Sequence, residues 1–270
     1  MTTLAVTNQK GGVGKTTTCV NLAASLAANR QRVLLVDLDP QGNATMGCGI
    51  DKHALELSVY DVLIHSAHIE DVRQRSEDAG FDVLASNDDL TAAEIELIGV
   101  SSKENRLRYA LARIKHEYDY ILIDCPPSLS MLTINGLVAA DGVLIPVQCE
   151  YYALEGLSSL LKTITRVQKV LNPALKIDGL VRTMYDARNT LTNEVSMQLI
   201  GHFGSKVYST LIPRNVRLAE APSHGQPALI YDKHSRGAIA YLTMASEMLR
   251  RHGKTPSVVP PPLNGPATSE

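Results

Sequence analysis

The sequence contains no tryptophan and only two phenylalanines among 270 residues, and aromatic residues make up 4% of the chain. Binding of single-stranded nucleic acid by base stacking needs exposed aromatic side chains, so this mode is disfavoured. No run of 18 apolar residues is present, which excludes a conventional membrane-spanning helix. Neither sign of charge dominates, since the chain has 26 Lys and Arg and 28 Asp and Glu. Any affinity for a polyanion must therefore come from a local patch.

Cysteines are few, and the four at positions 19, 48, 125 and 149 form no C-x-x-C pair. This usage is typical of buried thiols in a reducing compartment rather than of a disulfide framework. A metal cluster shared between two chains stays an alternative, because each chain can lend cysteines to it. The first residues run directly into a strand-like segment without the features of a secretory signal, so we expect a cytoplasmic protein.

Short apolar runs alternate with longer helical patterns along most of the chain. Val33–Val36 and Ile121–Ile123 are continuously apolar, as strands are when helices cover both faces of a parallel sheet. The clearest helical pattern runs from Leu154 to Leu171. We therefore predict an α/β fold with a doubly wound, mostly parallel sheet and helices on both faces. The predicted strands are Leu4–Thr7, Val33–Asp37, Phe81–Ala85, Tyr120–Asp124, Gly142–Val147, Ile177–Thr183 and Val207–Ile212.

These elements indicate a single domain over residues 1–252. Residues 253–270 hold five of the thirteen prolines and few charges, which predicts a flexible tail. Charge is uneven within the domain, with a balance of −6 over residues 1–181 and +5 over residues 182–254. The basic segment 182–254 is a modest indication of a surface that faces a polyanion.

The strongest signal is the segment KGGVGKTT at residues 10–17, between a predicted strand and a predicted helix. Glycines let backbone N–H groups converge on phosphate oxygens, and the helix N-terminus adds positive potential. In such a loop Lys15 reaches the β- and γ-phosphates, and the Thr16 hydroxyl ligates Mg²⁺. The segment therefore predicts a phosphate loop for a nucleoside triphosphate, formed by Lys10, Gly11, Gly12, Val13, Gly14, Lys15, Thr16 and Thr17.

The loop departs from the general pattern G-x-x-x-x-G-K-[ST], because Gln9 stands where the first glycine is expected. An additional lysine, Lys10, precedes the paired glycines instead. A second cation beside one triphosphate is redundant within its own subunit. We interpret Lys10 as reaching a nucleotide held by a facing subunit, in the manner of an arginine finger. The alternative is a solvent-exposed loop lysine.

Three acidic residues, Asp37, Asp39 and Asp124, lie at or just beyond the carboxyl ends of apolar strands. In an open α/β sheet that edge forms the ligand crevice. Carboxylates there can hold the waters of Mg²⁺ and orient an attacking water, which phosphoryl transfer requires. A single aspartate is equally well explained as a turn residue, but three beside a phosphate loop favour a catalytic site.

Residues 10–17 resemble the deviant Walker A motif of the ParA/MinD superfamily of ATPases. Four further segments are similar to the chromosomal ParA (Soj) branch, and the ordered set covers about residues 1–250. These segments are VLLVDLDPQGN at 33–43, ILIDCPPS at 121–128, PVQCEYYALEG at 146–156 and IPRNVRLAEAPSHG at 212–225. The resemblance implies a Mg²⁺-dependent ATP hydrolase that partitions chromosomal or plasmid DNA.

The same resemblance implies roles for individual residues. Asp124 matches the Walker B acid near the Mg²⁺ shell, Asp39 matches the residue that orients the hydrolytic water, and Asp37 supports the metal-side network. The segment Pro213-Arg214-Asn215 resembles the adenine-contacting loop, with Met184 as a candidate apolar wall or, alternatively, a core residue. The predicted catalytic residues are thus Lys10, Lys15 and Asp39, and the predicted metal-side residues, acting largely through water, are Thr16, Asp37 and Asp124.

Arg188 and Arg217 match positions that the resemblance implies contact DNA. Phosphate contacts without sequence readout suit a chain poor in aromatic residues, whereas ion pairs with Asp186 or Glu220 are the alternative. The resemblance further implies a homodimer that forms on ATP binding and coats double-stranded DNA nonspecifically on the nucleoid. A ParB-like centromere-binding protein would stimulate hydrolysis and release the subunits.

Two other functions share this nucleotide fold. A membrane-associated ATPase of the MinD type would need a basic amphipathic helix at the extreme C-terminus. The apolar residues between Ile239 and Leu249 instead have a core-facing period and precede a proline-rich tail, so no stable membrane association is expected. A reductase or cluster carrier similar to the nitrogenase iron protein would need a cysteine pair at the dimer interface.

Overall fold

A single twisted sheet of eight strands organises the part of the chain that the computed structural model describes, residues 1–261. All seven predicted strands are present, with ends within two residues of the predicted ones, and all of them pair in parallel. The order across the sheet is β3-β4-β2-β5-β1-β6-β7-β8. The strands are β1 (Thr2–Val6), β2 (Val33–Asp37), β3 (Gln74–Ser76), β4 (Phe81–Leu84), β5 (Tyr120–Asp124), β6 (Gly142–Gln148), β7 (Lys176–Tyr185) and β8 (Val207–Pro213).

The strand that the sequence did not predict is β3, which pairs antiparallel with β4 at the sheet edge. Its three residues carry no apolar run, and both Gln74 and Arg75 are exposed. Arg75 lies opposite Asp82 in register, and its Nη1 donates to Asp82 Oδ1 at 2.8 Å. The strand therefore depends on pairing with its neighbour, and hydrophobic periodicity does not detect such an edge.

Helices cover both faces of the sheet. The predicted helix from Leu154 to Leu171 is α8, which runs one residue earlier at each end. The twelve α-helices within residues 1–261 are α1 (Lys15–Ala28), α2 (Asn43–Gly47), α3 (Val59–Leu63), α4 (Ile69–Val72), α5 (Leu90–Glu96), α6 (Arg106–Ile114), α7 (Met131–Ala139), α8 (Ala153–Val170), α9 (Thr190–Phe203), α10 (Val216–Glu220), α11 (Ala228–Tyr231) and α12 (Arg236–Arg251).

Two hydrophobic cores lie on opposite faces of the sheet. On β5, Ile121 and Ile123 pack with α7 and α8, whereas Tyr120 and Leu122 pack with α1 and α12. Successive strand residues point to opposite faces, so a strand buried on both sides is apolar at every position. This arrangement confirms the predicted doubly wound α/β fold.

The C-terminal helix α12 belongs to the core. Tyr241, Met244 and Met248 are each at most 1% exposed, and the helix packs on α1 and β8. Among the helices of residues 1–261, none has the length and apolar character needed to cross a bilayer.

The segment after α12 is held against the domain as far as residue 258. The Asn29 side chain, fully buried at the end of α1, accepts hydrogen bonds from the backbone N–H groups of Ser257 and Val258 through Oδ1, both at 3.0 Å. Its Nδ2 donates to the Ser25 carbonyl at 2.9 Å. The first part of the tail predicted for residues 253–270 is therefore attached, and residues 262–270 lie outside the described residues.

We expect Asn29→Ala to lower the free energy of unfolding by about 1–3 kcal/mol, because a buried side chain with three hydrogen bonds is lost. A chain ending at Lys254 should lose a comparable amount, since Ser257 and Val258 are then absent. In that shorter chain Asn29→Ala should cost less than it does in the full chain. Denaturant unfolding of the four proteins measures this coupling, and strictly additive losses would contradict the contact.

Candidate active site

The loop between β1 and α1 has the backbone conformation of an anion cradle. Gly12 and Gly14 have φ values of +72° and +84°, a left-handed region that side chains with a Cβ rarely adopt. Open space surrounds the positions where a Cβ would stand on Gly11 and Gly12. Gly14 is the N-cap of α1, so the first N–H groups of that helix point toward the loop. The segment can therefore receive phosphate oxygens.

The two neighbouring strands β6 and β7 hold this loop in place. Asn8 donates from Nδ2 to the carbonyl of Pro146 at 2.8 Å, and its Oδ1 accepts the N–H of Lys10 at 3.0 Å. The Thr183 hydroxyl donates to the carbonyl of Val13 at 2.8 Å. Long-range contacts therefore attach the cradle to both strands.

Lys15 is buried at the start of α1, and its Nζ donates to the carbonyl of Lys10 across the loop at 3.2 Å. Burial lowers the pKa of the Lys15 ammonium, and the negative charges of Asp124 and Asp39 oppose that shift. The ammonium thus lies between the phosphate loop and the predicted acidic residues. This is the position from which a lysine can neutralise phosphate charge.

Asp37 and Asp124 are directly opposite each other in the register of β2 and β5, and both are fully buried. Burial is the largest cause that raises the pKa of each carboxyl. Asp37 Oδ2 accepts the N–H and the hydroxyl of Thr45 at 2.9 and 2.8 Å, and its Oδ1 accepts the N–H of Asp39 at 3.1 Å. Both oxygens of Asp37 are therefore engaged by the protein.

The Asp124 carboxylate differs from Asp37 because one of its oxygens is free. Its Oδ1 is 3.6 Å from Cys19 Sγ, a thiol that can donate to it. Its Oδ2 has no hydrogen-bond partner in the described part of the chain, and the Thr16 hydroxyl lies close enough to the carboxylate to lower the pKa of Asp124. A buried carboxylate oxygen without a donor is costly, which indicates that a ligand or its water supplies one.

Asp39 lies just beyond β2 on a well-anchored backbone. Its carbonyl accepts the hydroxyl of Ser86 at 2.9 Å and the N–H of Gly42 at 2.9 Å. Its carboxylate is half-buried, and Oδ1 accepts the N–H of Gln41 at 3.0 Å. The second carboxylate oxygen is available to orient a water molecule.

A cavity of about 150 Å³ adjoins the phosphate loop at Gly14 and Thr17. The four residues predicted to contact adenine all line it, namely Met184, Pro213, Arg214 and Asn215. Met184 has a φ of +49°, a strained conformation for a methionine, and such residues cluster at functional sites. A larger cavity, of about 720 Å³, lies at the opposite edge of the sheet and contains none of the predicted site residues.

Lys10 points away from its own loop. Its Nζ donates to Glu150 Oε2 at 2.6 Å, and both side chains are partly exposed. The next two residues, Tyr151 and Tyr152, are 76% and 65% exposed and contact each other edge to face. Lys10 is therefore paired with a residue outside the phosphate loop.

The two arginines predicted to contact DNA follow the carboxyl ends of neighbouring strands, Arg188 in the loop after β7 and Arg217 in α10 after β8. Both form surface ion pairs. Arg188 Nη2 is 2.9 Å from Asp186 Oδ2, and Arg217 Nη1 is 2.8 Å from Glu220 Oε2. The Arg188 hydrogen bonds are the main reason why the pKa of Asp186 falls to about 2. Exposed pairs of this kind are weak, about 0–1 kcal/mol, so phosphates can compete for both arginines.

The sequence did not predict the contacts of Thr45 with Asp37 and of Glu150 with Lys10. Glu150 is 140 positions from Lys10 in the sequence, and no local pattern signals such a contact. All four cysteines are buried with free thiols. In residues 1–261 no three His, Cys, Asp or Glu side chains converge as a metal-binding cluster.

Comparisons with known proteins show which family the chain resembles over most of its length. A family model described as an AAA domain matches residues 1–177. The sporulation initiation inhibitor protein Soj of Bacillus subtilis is 56% identical over 91% of this chain and 97% of its own. The chromosome partitioning protein ParA of Caulobacter vibrioides is 51% identical over 92% and 94%. The fold is also similar to that in a crystal structure of cobyrinic acid a,c-diamide synthase from Mycobacterium smegmatis with bound ADP and magnesium, with a TM-score of 0.81. The two sequences are 39% identical, and the match covers 96% of this chain and 100% of the synthase chain.

Proposed function

The chain belongs to the Soj and ParA family of chromosome-partitioning ATPases, and from this premise we propose that it partitions chromosomal or plasmid DNA by ATP-dependent dimerisation. The observation that carries the proposal is the loop of residues 10–17, which combines an inward lysine, Lys15, with an outward one, Lys10. The inward lysine serves the nucleotide of its own subunit. The outward lysine is placed to serve a second subunit.

The residues fit ATP with Mg²⁺. The cradle of Gly11–Gly14 and the ammonium of Lys15 receive the phosphates, and the cavity beside Gly14 receives the base. Mg²⁺ supplies charge neutralisation for the phosphates when bound. Thr16 would hold it directly and the free Oδ2 of Asp124 through water, while Asp37 holds Thr45 and the backbone of Asp39.

Hydrolysis of ATP to ADP and phosphate is assigned to Asp39. Its carboxylate accepts a hydrogen bond from an attacking water and so orients that water toward the terminal phosphate. Ser86 and Gly42 hold the backbone of Asp39 in place through its carbonyl. Lys15 stabilises the negative charge that develops on the phosphate oxygens.

Dimerisation follows from the position of Lys10. When a second subunit approaches the loop edge, Lys10 exchanges Glu150 for the phosphates of the facing nucleotide. The exposed tyrosines 151 and 152 lie beside this contact and are available to be covered. Both nucleotides are then buried between the two subunits of a homodimer.

DNA binding is assigned to the segments that follow β7 and β8, namely the loop before α9 and the helix α10. Arg188 and Arg217 lie there, and the positive charge of Arg214 also lowers the pKa of Asp186, which places a third cation nearby. One subunit offers few phosphate contacts, whereas a dimer offers twice as many, so ATP binding raises the affinity for double-stranded DNA steeply. A ParB-like centromere-binding partner stimulates hydrolysis. The dimer then dissociates, and its subunits leave the nucleoid for the cytoplasm.

Filter binding with nonspecific duplex DNA tests the proposal. ATP with Mg²⁺ should raise the DNA affinity well above that seen with ADP, and the affinity should fall as salt rises because counterions are released. Absence of both effects would contradict the function. ATP-dependent co-sedimentation with liposomes instead would favour a membrane-associated ATPase of the MinD type.

Arg188→Glu should retain ATP binding and dimerisation but lose most of its DNA affinity, by about tenfold or more, because two phosphate contacts per dimer become repulsive. Asp186→Asn is the matched change on the other side of the pair. It frees Arg188, so DNA affinity should rise modestly. Unchanged DNA affinity in Arg188→Glu would assign this arginine to a structural pair.

A further inference from the structure

The Asp124 carboxylate has a donor that no phosphate-loop motif includes. Cys19 lies three residues after Thr16 on α1, so both side chains share the face of the helix that looks toward the end of β5. The Cys19 Sγ is 3.6 Å from Asp124 Oδ1, within the range of a sulfur hydrogen bond. Both side chains are 0% exposed.

Cys19 carries a free thiol, and a thiol is a weak hydrogen-bond donor. A protonated thiol gives its hydrogen to a carboxylate oxygen, whereas a thiolate would repel it. The contact is consequently attractive and directional.

The two oxygens of Asp124 have different surroundings. Oδ1 faces the thiol of Cys19, and Oδ2 has no protein donor among residues 1–261. A hydrogen bond to one oxygen fixes the rotation of the carboxylate plane and so fixes where the other oxygen points. In Asp37, by contrast, protein donors occupy both oxygens.

We propose that Cys19 is a positioning residue for metal binding, which holds Asp124 through Oδ1 so that Oδ2 faces the water shell of Mg²⁺. This inference rests on the proposed function, since it takes Asp124 as the metal-side acid. Cys19 itself contacts neither the nucleotide nor the metal. Loss of the thiol weakens the binding of Mg²⁺ only through its effect on the orientation of Asp124.

The test compares Cys19→Ala, which removes the donor, with Cys19→Ser, which keeps one. The matched control is Cys48→Ala, because Cys48 is an equally buried thiol of the same hydrophobic core that contacts no carboxylate oxygen at hydrogen-bond distance in the described residues. Each alanine variant loses one buried sulfur atom from this core. Thermal unfolding should therefore show similar small losses of stability for the two.

The decisive measurement is binding of a fluorescent methylanthraniloyl derivative of ADP, titrated with Mg²⁺. Affinity without Mg²⁺ should be the same for all four proteins. The Mg²⁺ concentration at half-saturation should rise about three- to tenfold in Cys19→Ala, the lower end of outer-shell effects because a thiol is a weak donor. It should remain at the wild-type value in Cys48→Ala and lie within about twofold of it in Cys19→Ser, since a hydroxyl is a stronger donor.

Two results would overturn the inference while leaving the proposed function intact. One is a wild-type Mg²⁺ requirement in Cys19→Ala, and the other is an equal shift in Cys48→Ala, which would show a packing effect. If the wild-type protein itself binds the nucleotide equally well with and without Mg²⁺, the metal-side assignment of Asp124 fails, and the proposed function is then also contradicted.

Discussion

Asp39→Ala is expected to accumulate as an ATP-bound dimer whose hydrolysis is slower by a factor of about 10²–10⁴, the usual contribution of a residue that positions and activates a reacting group. The change removes the carboxylate but leaves the main-chain contacts of residue 39 with Ser86 and Gly42. The phosphate loop, Lys15 and Asp124 are untouched. Nucleotide binding and closure should therefore proceed, while the step that reopens the dimer is blocked.

Size-exclusion chromatography with light scattering, together with phosphate release, measures both effects. Asp88→Ala is the matched control, because Asp88 is a nearby aspartate that is 76% exposed and pairs only weakly with Lys52 at 3.7 Å. It should behave like the wild type in both assays. A monomeric Asp39→Ala in the presence of ATP, or one that releases phosphate at the wild-type rate, would contradict the assignment of Asp39.

Lys15→Ala should lose nucleotide affinity by about 100-fold or more, because a partly buried ammonium that contacts phosphate typically contributes 2–5 kcal/mol. The loss is increased by the surroundings of Lys15, since its charge compensates those of Asp124 and Asp39. Without nucleotide the protein should stay monomeric and should show no ATP-dependent binding to DNA.

Lys10→Ala is the matched comparison, since it removes the other lysine of the same loop. It should bind ATP with nearly unchanged affinity, because Lys10 contacts Glu150 rather than its own cradle, but it should dimerise or hydrolyse poorly. Titration with the fluorescent nucleotide and light scattering separate the two phenotypes. Equal loss of nucleotide affinity in both variants would contradict separate roles for the two lysines.

The fold could be predicted from the sequence because its strands are buried on both faces. Continuous apolar runs such as Val33–Val36 are produced by burial itself, and they locate the strands to within two residues. Strand β3 was missed because it is stabilised by pairing with β4 and by one ion pair, neither of which leaves an apolar pattern. Periodicity reports burial, and it does not report pairing.

The site could be predicted as a set of positions but not as a set of contacts. The strand ends at Asp37 and Asp124 follow from the parallel sheet, which brings the carboxyl ends of β2 and β5 together. Their different chemistry does not follow, because it depends on Thr45 for one and on Cys19 for the other. Whether an arginine such as Arg188 has a carboxylate partner is likewise a matter of side-chain geometry.

In the proposed dimerisation, the ion pair between Lys10 and Glu150 also limits the rate at which two subunits associate. An exposed pair worth about 1 kcal/mol leaves the lysine released roughly one sixth of the time. Lys10 must be released in both approaching subunits. Because the two probabilities are independent and multiply, only about 3% of encounters meet this requirement. The association rate therefore depends on the square of the fraction of subunits in which Lys10 is released, as well as on the square of the protein concentration. A partner that displaced Glu150 in one subunit would accelerate association about sixfold without touching the nucleotide.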